Sequence, residues 1–203
     1  MPAKRVLVIL VIIAVIGAGL FVVLQNNQPT SAKLLKAEQE VYAALLLDQK
    51  NAYNDPTDTF QIIEYTNSGE LRGNTPGDSA GYHLEFEVND FPDLHQKTWN
   101  DYQEKNKETY PIKEFLSPTE NMILVNPANG KQLYWWVSFS RIGFNSSLTQ
   151  AFVLVGDCRG KACYDSNGVF MYSQGFYELL EKENGKWIIK DQQDAWFIEA
   201  PSP

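Results

Sequence analysis

Three residues in one apolar stretch of the sequence have side chains that could bind a ligand. Trp135 and Trp136 lie in LYWWVSFSRIGF, and Arg141 follows in the same stretch. Because neighbouring strand residues point to opposite faces, one tryptophan would be core, while the other would pack on a helix or form a platform for a sugar or peptide. Arg141 in such a strand would either pair with a carboxylate or bind an anion. We therefore take Arg141, Trp135 and Trp136 as ligand-binding candidates.

The signatures of several enzyme classes are absent from the sequence. The chain has two histidines, His83 and His95, and no G-x-S-x-G elbow, P-loop, dinucleotide fingerprint or H-E-x-x-H motif. Hydrolase triads nearly always take their base from histidine. A pair of carboxylates could still serve a hydrolase, but 25 acidic residues make some pairs inevitable. The sequence predicts no metal and no cofactor, and it assigns no catalytic residue.

The two cysteines, Cys158 and Cys163, lie close together in GDCRGKACYD. Two nearby thiols in an exported domain usually oxidise, and closing so short a loop is worth about 2 kcal/mol in the chain-entropy model. A thioredoxin-type redox pair has only two residues between its thiols, and a zinc site needs four ligands. This spacing favours a structural disulfide between Cys158 and Cys163.

An apolar segment near the N-terminus would place these residues outside the cytoplasm. Residues 6–24 carry no charged or strongly polar side chain, and a helix of that length spans roughly 28 Å, close to the hydrocarbon thickness of a bilayer. Lys4 and Arg5 precede the segment, whereas the next basic residue is Lys33. The positive-inside rule then keeps the N-terminus in the cytoplasm.

A cleaved signal peptide is the alternative to this anchor. Its apolar region is usually about 7 to 15 residues long and ends at a small-x-small site. The best such site, Thr30-Ser31-Ala32, lies well beyond the apolar run, which favours the anchor. We predict a cytoplasmic tip at residues 1–5, a transmembrane helix at 6–24, a spacer at 25–32 and an extracytoplasmic domain at 33–203. The chain would be a single-pass protein of the plasma or inner membrane.

The exported part is acidic. The sequence after the anchor contains 25 acidic and 15 basic residues, so its net charge is −10. Negative charge opposes binding to nucleic acid and to anionic lipid surfaces, and it favours solubility. About 170 residues are enough to bury the core of one domain.

The hydrophobic pattern predicts two helices within this domain. KLLKAEQEVYAALLLDQK repeats apolar residues at three- and four-residue steps, and only Glu38 interrupts that face. The helix should end near Asn51. A second helix is expected to begin at Asp90-Phe91-Pro92-Asp93 and to end near Asn106, because proline and acidic residues suit a first helical turn.

Strand-like runs dominate the rest of the chain. Residues 60–67 and 82–88 have the composition or alternation of strands, and four longer runs follow at 133–144, 150–157, 168–183 and 186–199. Asn184-Gly185 between the last two runs is a strong hairpin signal. We predict an α+β fold in which helices pack on one face of a mainly antiparallel meander sheet of about four strands.

Several motifs of the C-terminal half resemble a group of exported bacterial domains without an assigned activity. These are SFSRIGFN, TQAFVLVGDC and GFYELLEKENGKWIIK, preceded by the helical segment WNDYQEKNKETYPIKEF. The resemblance covers roughly residues 90–190, with Ile142 where valine is usual and a less glycine-rich cysteine loop. It implies one module behind an anchor and transfers no catalytic role. The closing hairpin is also similar to those of cone-shaped, nuclear-transport-factor-like or cystatin-like domains.

These observations lead to two main functional hypotheses, beside a third in which the chain is a structural or assembly subunit that self-associates through an exposed apolar surface. The first is a membrane-anchored, non-enzymatic envelope module that binds another protein or a small ligand and no nucleic acid. The second is a hydrolase that acts on envelope material with carboxylates in a cavity. Two close acids with raised pKa values would favour the hydrolase.

Overall fold

The described residues form two α-helices and eight strands. The computed structural model describes residues 29–53, 60–66, 81–83, 90–116, 122–126, 136–158 and 172–199. Helix α1 spans Ser31–Tyr53, helix α2 spans Gln96–Lys105, and a short 3-10 helix spans Ile112–Glu114. The strands are β1 (Phe60–Ile63), β2 (Gly81–His83), β3 (Met122–Val125), β4 (Trp136–Phe139), β5 (Gly143–Phe144), β6 (Gln150–Cys158), β7 (Tyr172–Glu183) and β8 (Lys186–Glu199).

All described strands belong to one mixed sheet. Its order is β2-β8-β7-β6-β4-β1-β3, and β5 pairs beside β4 along β6. The ladders from β4 through β6 and β7 to β8 are antiparallel, whereas β1 is parallel to both β3 and β4. The prediction of a mainly antiparallel α+β fold is therefore confirmed. The expected size of about four strands is too small. The short strands β1, β2 and β3 also join the sheet, and they pair with strands that are far away in the sequence.

The two helices cover opposite faces of this sheet, with strand β6 between them. Ala151 and Val153 face the core that includes Val41 of α1, whereas Phe152 faces the core that includes Tyr102 of α2. All nine residues of β6 are buried, as expected of a strand covered on both sides. The prediction that the helices pack on one face is wrong, since β6 carries apolar side chains on both faces.

Helix α1 forms where the apolar periodicity predicts it, and it is about one turn longer than predicted. Its buried face includes Val41, Tyr42, Leu45 and Leu46, which lie on the β4–β6 part of the sheet. At the N-terminal end, Leu34 N donates to Thr30 O at 3.0 Å.

Helix α2 begins later than the sequence suggests. Asp90–Asp93 forms a turn in which Leu94 N donates to Phe91 O at 3.0 Å. His95 is the N-cap residue, and its backbone N donates to Gln150 Oε1 of β6 at 2.8 Å. This bond to the sheet fixes the helix start at Gln96, so Pro92 lies in the preceding turn instead of the first helical turn.

The hairpin between β7 and β8 confirms the prediction from its turn residues. Asn184 has φ of 50° and Gly185 has φ of 81°. Two consecutive positive φ values are characteristic of a type I′ turn, whose twist matches that of the flanking strands. The two strands then pair over the full length of β7.

Neither described helix is long and apolar enough to span a bilayer. The predicted transmembrane helix at residues 6–24 and the cytoplasmic tip lie outside the described residues, so both stay predictions. Helix α1 begins at Ser31, within the predicted spacer of residues 25–32, and the spacer itself stays a prediction.

Candidate functional site

Arg141 forms an ion pair with Glu38 of helix α1. Its Nε donates to Glu38 Oε1 at 2.8 Å, and its Nη2 donates to Glu38 Oε2 at 3.2 Å. The guanidinium also lies over the Phe115 ring, 3.6 Å from the centroid, and 5.2 Å from that of Tyr110. Glu38 is the residue that interrupts the apolar face of α1, so the pair joins this helix to the segment between β4 and β5. A ligand-binding role for Arg141 stays a prediction.

The backbone around Arg141 is held as firmly as its side chain. Asn106 Oδ1 accepts from Arg141 N at 2.7 Å, and Asn106 Nδ2 donates to Arg141 O at 2.9 Å. Tyr42 of α1 donates its hydroxyl to Ser140 O at 2.9 Å. These bonds from both helical segments indicate that the region positions α1 on the sheet.

Of the other two candidate residues, Trp136 lies on the opposite side of the sheet from the Arg141 ion pair. Trp136 is buried on the α2 side of the sheet, in the core with Phe152 and Cys158. Arg141 pairs with α1, which covers the opposite face. Trp135 and Cys163 lie outside the described residues, so the aromatic platform and the disulfide stay predictions.

Two carboxyl groups that the sequence did not single out are buried on the α1 side of the sheet. Glu178 of β7 is 2% exposed, and Asp157 near the end of β6 is 0% exposed. The β6–β7 ladder pairs Val153 with Glu178 and Asp157 with Gln174. Because Val153 faces α1 and side chains alternate, both carboxyl groups point to that side. The two residues are separated by about 13 Å along the strands, at about 3.3 Å per residue.

The C-terminal end of α1 lies over Glu178. Glu40 Oε2 and Lys182 Nζ are 2.6 Å apart, which fixes the start of α1 against the end of β7. Eight residues of helix from Glu40 to Asp48 advance about 12 Å, and four residues of strand from Lys182 to Glu178 cover about 13 Å. These similar lengths agree with the effect of the Asp48 charge on the carboxyl group of Glu178. The next residue, Gln49, is on the buried face of the helix and is 6% exposed.

The surroundings raise the pKa of both buried acids. Burial raises the pKa of Glu178 to about 8, and the negative charges of Asp48 and Asp157 act in the same direction. Burial also raises the pKa of Asp157 to about 6, against a hydrogen bond from Gln174 that lowers it. At pH 7 Glu178 is thus mostly protonated and Asp157 mostly ionised. The site holds an acid and a base in one region of the sheet.

Two oxygens at this site are buried without a donor. Glu178 Oε2 and Gln49 Oε1 find no hydrogen-bond partner among the described residues. A buried polar atom that stays unpaired costs about 1–3 kcal/mol. Within the described part of the chain, these two oxygens therefore have hydrogen-bonding capacity that is not used. We refer to Gln49, Asp157 and Glu178 as the α1-end site.

No family model matches this sequence. Neither a curated protein nor a solved structure is significantly similar to it either. The resemblance to exported bacterial domains stays a prediction from the motif residues.

A metal centre is not formed by the described residues. Among them, no three histidine, cysteine or acidic side chains come together as metal ligands. Of the two histidines, His95 is an exposed cap residue whose Nδ1 is 3.5 Å from Asn145 Nδ2. The side chain of His83 lies outside the described part of the chain.

The α1-end site has a signal in the sequence that strand alternation reveals. Phe176, Glu178 and Leu180 share one face of β7, so a carboxylate stands between two apolar residues. Asp157 ends the apolar run AFVLVG. A charge at an inward position of such a strand is rare without a partner or a function. Recognising it requires knowing which face of β7 is covered.

Proposed function

We propose that this protein is a membrane-anchored extracytoplasmic module that binds a small ligand at the α1-end site, without catalysis. The observation that carries the proposal is the carboxyl group of Glu178, which is 2% exposed and has a buried oxygen without a hydrogen-bond partner among the described residues. Burying such a group is costly, and binding sites are where proteins accept that cost. The acidic charge and the lack of recognisable catalytic motifs support the same conclusion.

The position of the site suits a ligand that comes from outside the cell membrane. Six residues separate the end of the predicted anchor at Leu24 from the start of helix α1 at Ser31. Its 23 residues extend about 34 Å. Because the site lies at the opposite end of α1 from the anchor, we propose that it faces away from the bilayer.

The proposal is tested by an NMR fragment screen on the isotope-labelled full chain in lipid nanodiscs. The library contains cationic, anionic and neutral fragments in equal number. We expect bound fragments to shift the amide signals of residues 155–158 and 176–178, which surround the site on β6 and β7. Fragments that bind only elsewhere, or no binding at all, would contradict the proposal.

A matched pair of variants makes the screen specific. Glu178→Gln removes the buried carboxyl group, whereas Glu108→Gln makes the same substitution at an exposed residue. We expect the first variant to change the affinity of each hit at least about tenfold, in line with a lost charged hydrogen bond. The second variant should bind like the natural protein.

A hydrolase acting on envelope material is the second candidate. The two raised pKa values favour it, whereas the separation of about 13 Å along the strands is larger than the roughly 5–9.5 Å between the paired carboxyl groups of glycosidases. With the pKa of Glu178 at about 8 and that of Asp157 at about 6, one group is an acid and the other a base at pH 7. The assay follows hydrolysis of bacterial cell-wall glycan between pH 4 and 10. A hydrolase should show a bell-shaped profile with limbs near these values, lost in both Asp157→Asn and Glu178→Gln. A lack of turnover over the whole range would eliminate this candidate.

A further inference from the structure

The turn that joins β7 to β8 contains a pair of residues that can react with each other. Asn184 and Gly185 are both exposed. Apart from the two neighbouring residues, no atom of the described chain lies within 4 Å of the position that a Cβ of Gly185 would take. The backbone nitrogen of Gly185 is therefore unhindered, and whether it reaches the side-chain amide carbon of Asn184 depends on the backbone conformation of the turn.

The reaction of this pair is cyclisation followed by hydrolysis. The Gly185 nitrogen attacks Asn184 Cγ, a C–N bond forms, and the side-chain amide nitrogen takes up the displaced proton and leaves as ammonia. Water from the solvent then opens the cyclic imide at either of its carbonyl carbons. The product is aspartate or isoaspartate at position 184, and no atom is oxidised or reduced.

The observed turn holds the two reacting atoms apart. Ring closure requires the Gly185 nitrogen to lie nearly in one plane with the side chain of Asn184, which sets ψ of Asn184 to about −120°, the value at the first central residue of a type II′ turn. The φ values of 50° and 81° are those of a type I′ turn, in which ψ of this residue is about +30°. The angle ψ of Asn184 must therefore change by about 150° before the reaction can occur.

Strand pairing and contacts with α1 maintain the observed conformation. Glu183 pairs with Lys186, and Lys182 pairs with Trp187. Lys182 also forms an ion pair with Glu40, and Trp187 is buried in the core that contains α1. A type II′ turn requires glycine at its first central position, where this chain has an asparagine. The reactive conformation is thus a minor one, and minor conformers are typically about 0.1–10% populated.

From this geometry we propose that Asn184 is a latent deamidation site, which the type I′ turn protects in the folded chain and which reacts when the turn flips or the hairpin opens. A reaction that proceeds through a minor conformer is slowed in proportion to the population of that conformer. Folding therefore slows deamidation of Asn184 about ten- to a thousandfold. Isoaspartate adds a carbon atom to the main chain of the turn, so it disturbs the register that a two-residue loop imposes on β7 and β8.

Mass spectrometry of the full chain in ¹⁸O-labelled water tests this inference. The protein is incubated at one pH, folded in detergent or unfolded in guanidinium chloride, and the peptide that contains Asn184 is analysed for labelled aspartate and isoaspartate. Two further Asn-Gly pairs, Asn129-Gly130 and Asn167-Gly168, calibrate the rate in the unfolded chain. We expect all three pairs to react at similar rates when unfolded, and Asn184 to react about ten- to a thousandfold more slowly when folded. Equal rates for Asn184 in the two states would overturn the inference.

Gly185→Ala distinguishes protection by the turn from the intrinsic reactivity of the pair. The added methyl group slows cyclisation in both states, so the ratio of the unfolded rate to the folded rate is compared. Because alanine disfavours the φ of 81°, the type I′ turn should weaken and that ratio should fall about fivefold or more. Glu108→Gln, at an exposed residue outside the hairpin, should leave the ratio unchanged. The same ratio in Gly185→Ala as in the natural protein would mean that the turn does not protect Asn184, and the inference would be wrong.

Discussion

Replacing Glu178 by glutamine should change how the stability of the protein depends on pH. Burial raises the pKa of Glu178 from 4.5 to about 8 in the folded chain, so the folded state binds this proton more tightly than the unfolded state. A raised folded pKa contributes stability that is complete below pH 4.5 and is lost as pH rises through 8. At about 1.4 kcal/mol per pH unit, the whole change amounts to about 5 kcal/mol.

Most of that change in unfolding free energy occurs between pH 5 and 9, where unfolding can be measured. Between pH 5 and 9 the natural protein should lose about 4 kcal/mol of unfolding free energy relative to Glu178→Gln, which stays neutral throughout. The raised pKa of Asp157 contributes to the pH dependence of both proteins, so it cancels in the difference.

Urea unfolding of both full-length proteins in the same detergent measures this difference. Tryptophan fluorescence and circular dichroism should report coincident transitions at pH 5, 7 and 9. We expect the two unfolding free energies to diverge steadily, with the variant the more stable at pH 9. Parallel curves across the range would refute the reasoning, because they would mean that Glu178 titrates alike in both states.

Three other changes have definite expected results. Arg141→Ala should cost about 3–5 kcal/mol in urea unfolding, because it leaves the Glu38 carboxylate buried without its partner; a cost below about 1 kcal/mol would contradict this. Gly143→Ala should cost about 1–3 kcal/mol, since a Cβ there would lie 2.5 Å from the backbone of α2, and an unchanged midpoint would show that α2 moves freely. Alkylation and mass spectrometry of the non-reduced chain should find Cys158 and Cys163 joined, and reduction should cost about 2 kcal/mol; two alkylated thiols would exclude the disulfide.

Sequence patterns predicted the elements that depend on local periodicity. Helix α1 follows from its apolar repeat, and the β7–β8 hairpin follows from Asn184-Gly185, whose positive φ values define the turn. Strand β6 was predicted within a residue of its observed limits. In each case the information lies within a few consecutive residues.

Features that depend on tertiary contacts could not be predicted from the sequence. The parallel pairing of β1 with β3 and β4 joins segments far apart in sequence and has no turn signature. The bond from His95 N to Gln150 decides where α2 begins. Glu178 looks like an ordinary surface glutamate in YELLEKE until α1 is placed over its face of the sheet.

The ionisation of Glu178 is the most direct test of the α1-end site. Carbon-detected NMR of the labelled carboxyl group, recorded from pH 4 to 10, measures its pKa in the full chain. We predict a pKa near 8. An ordinary pKa near 4.5 would contradict the buried acid on which the site depends.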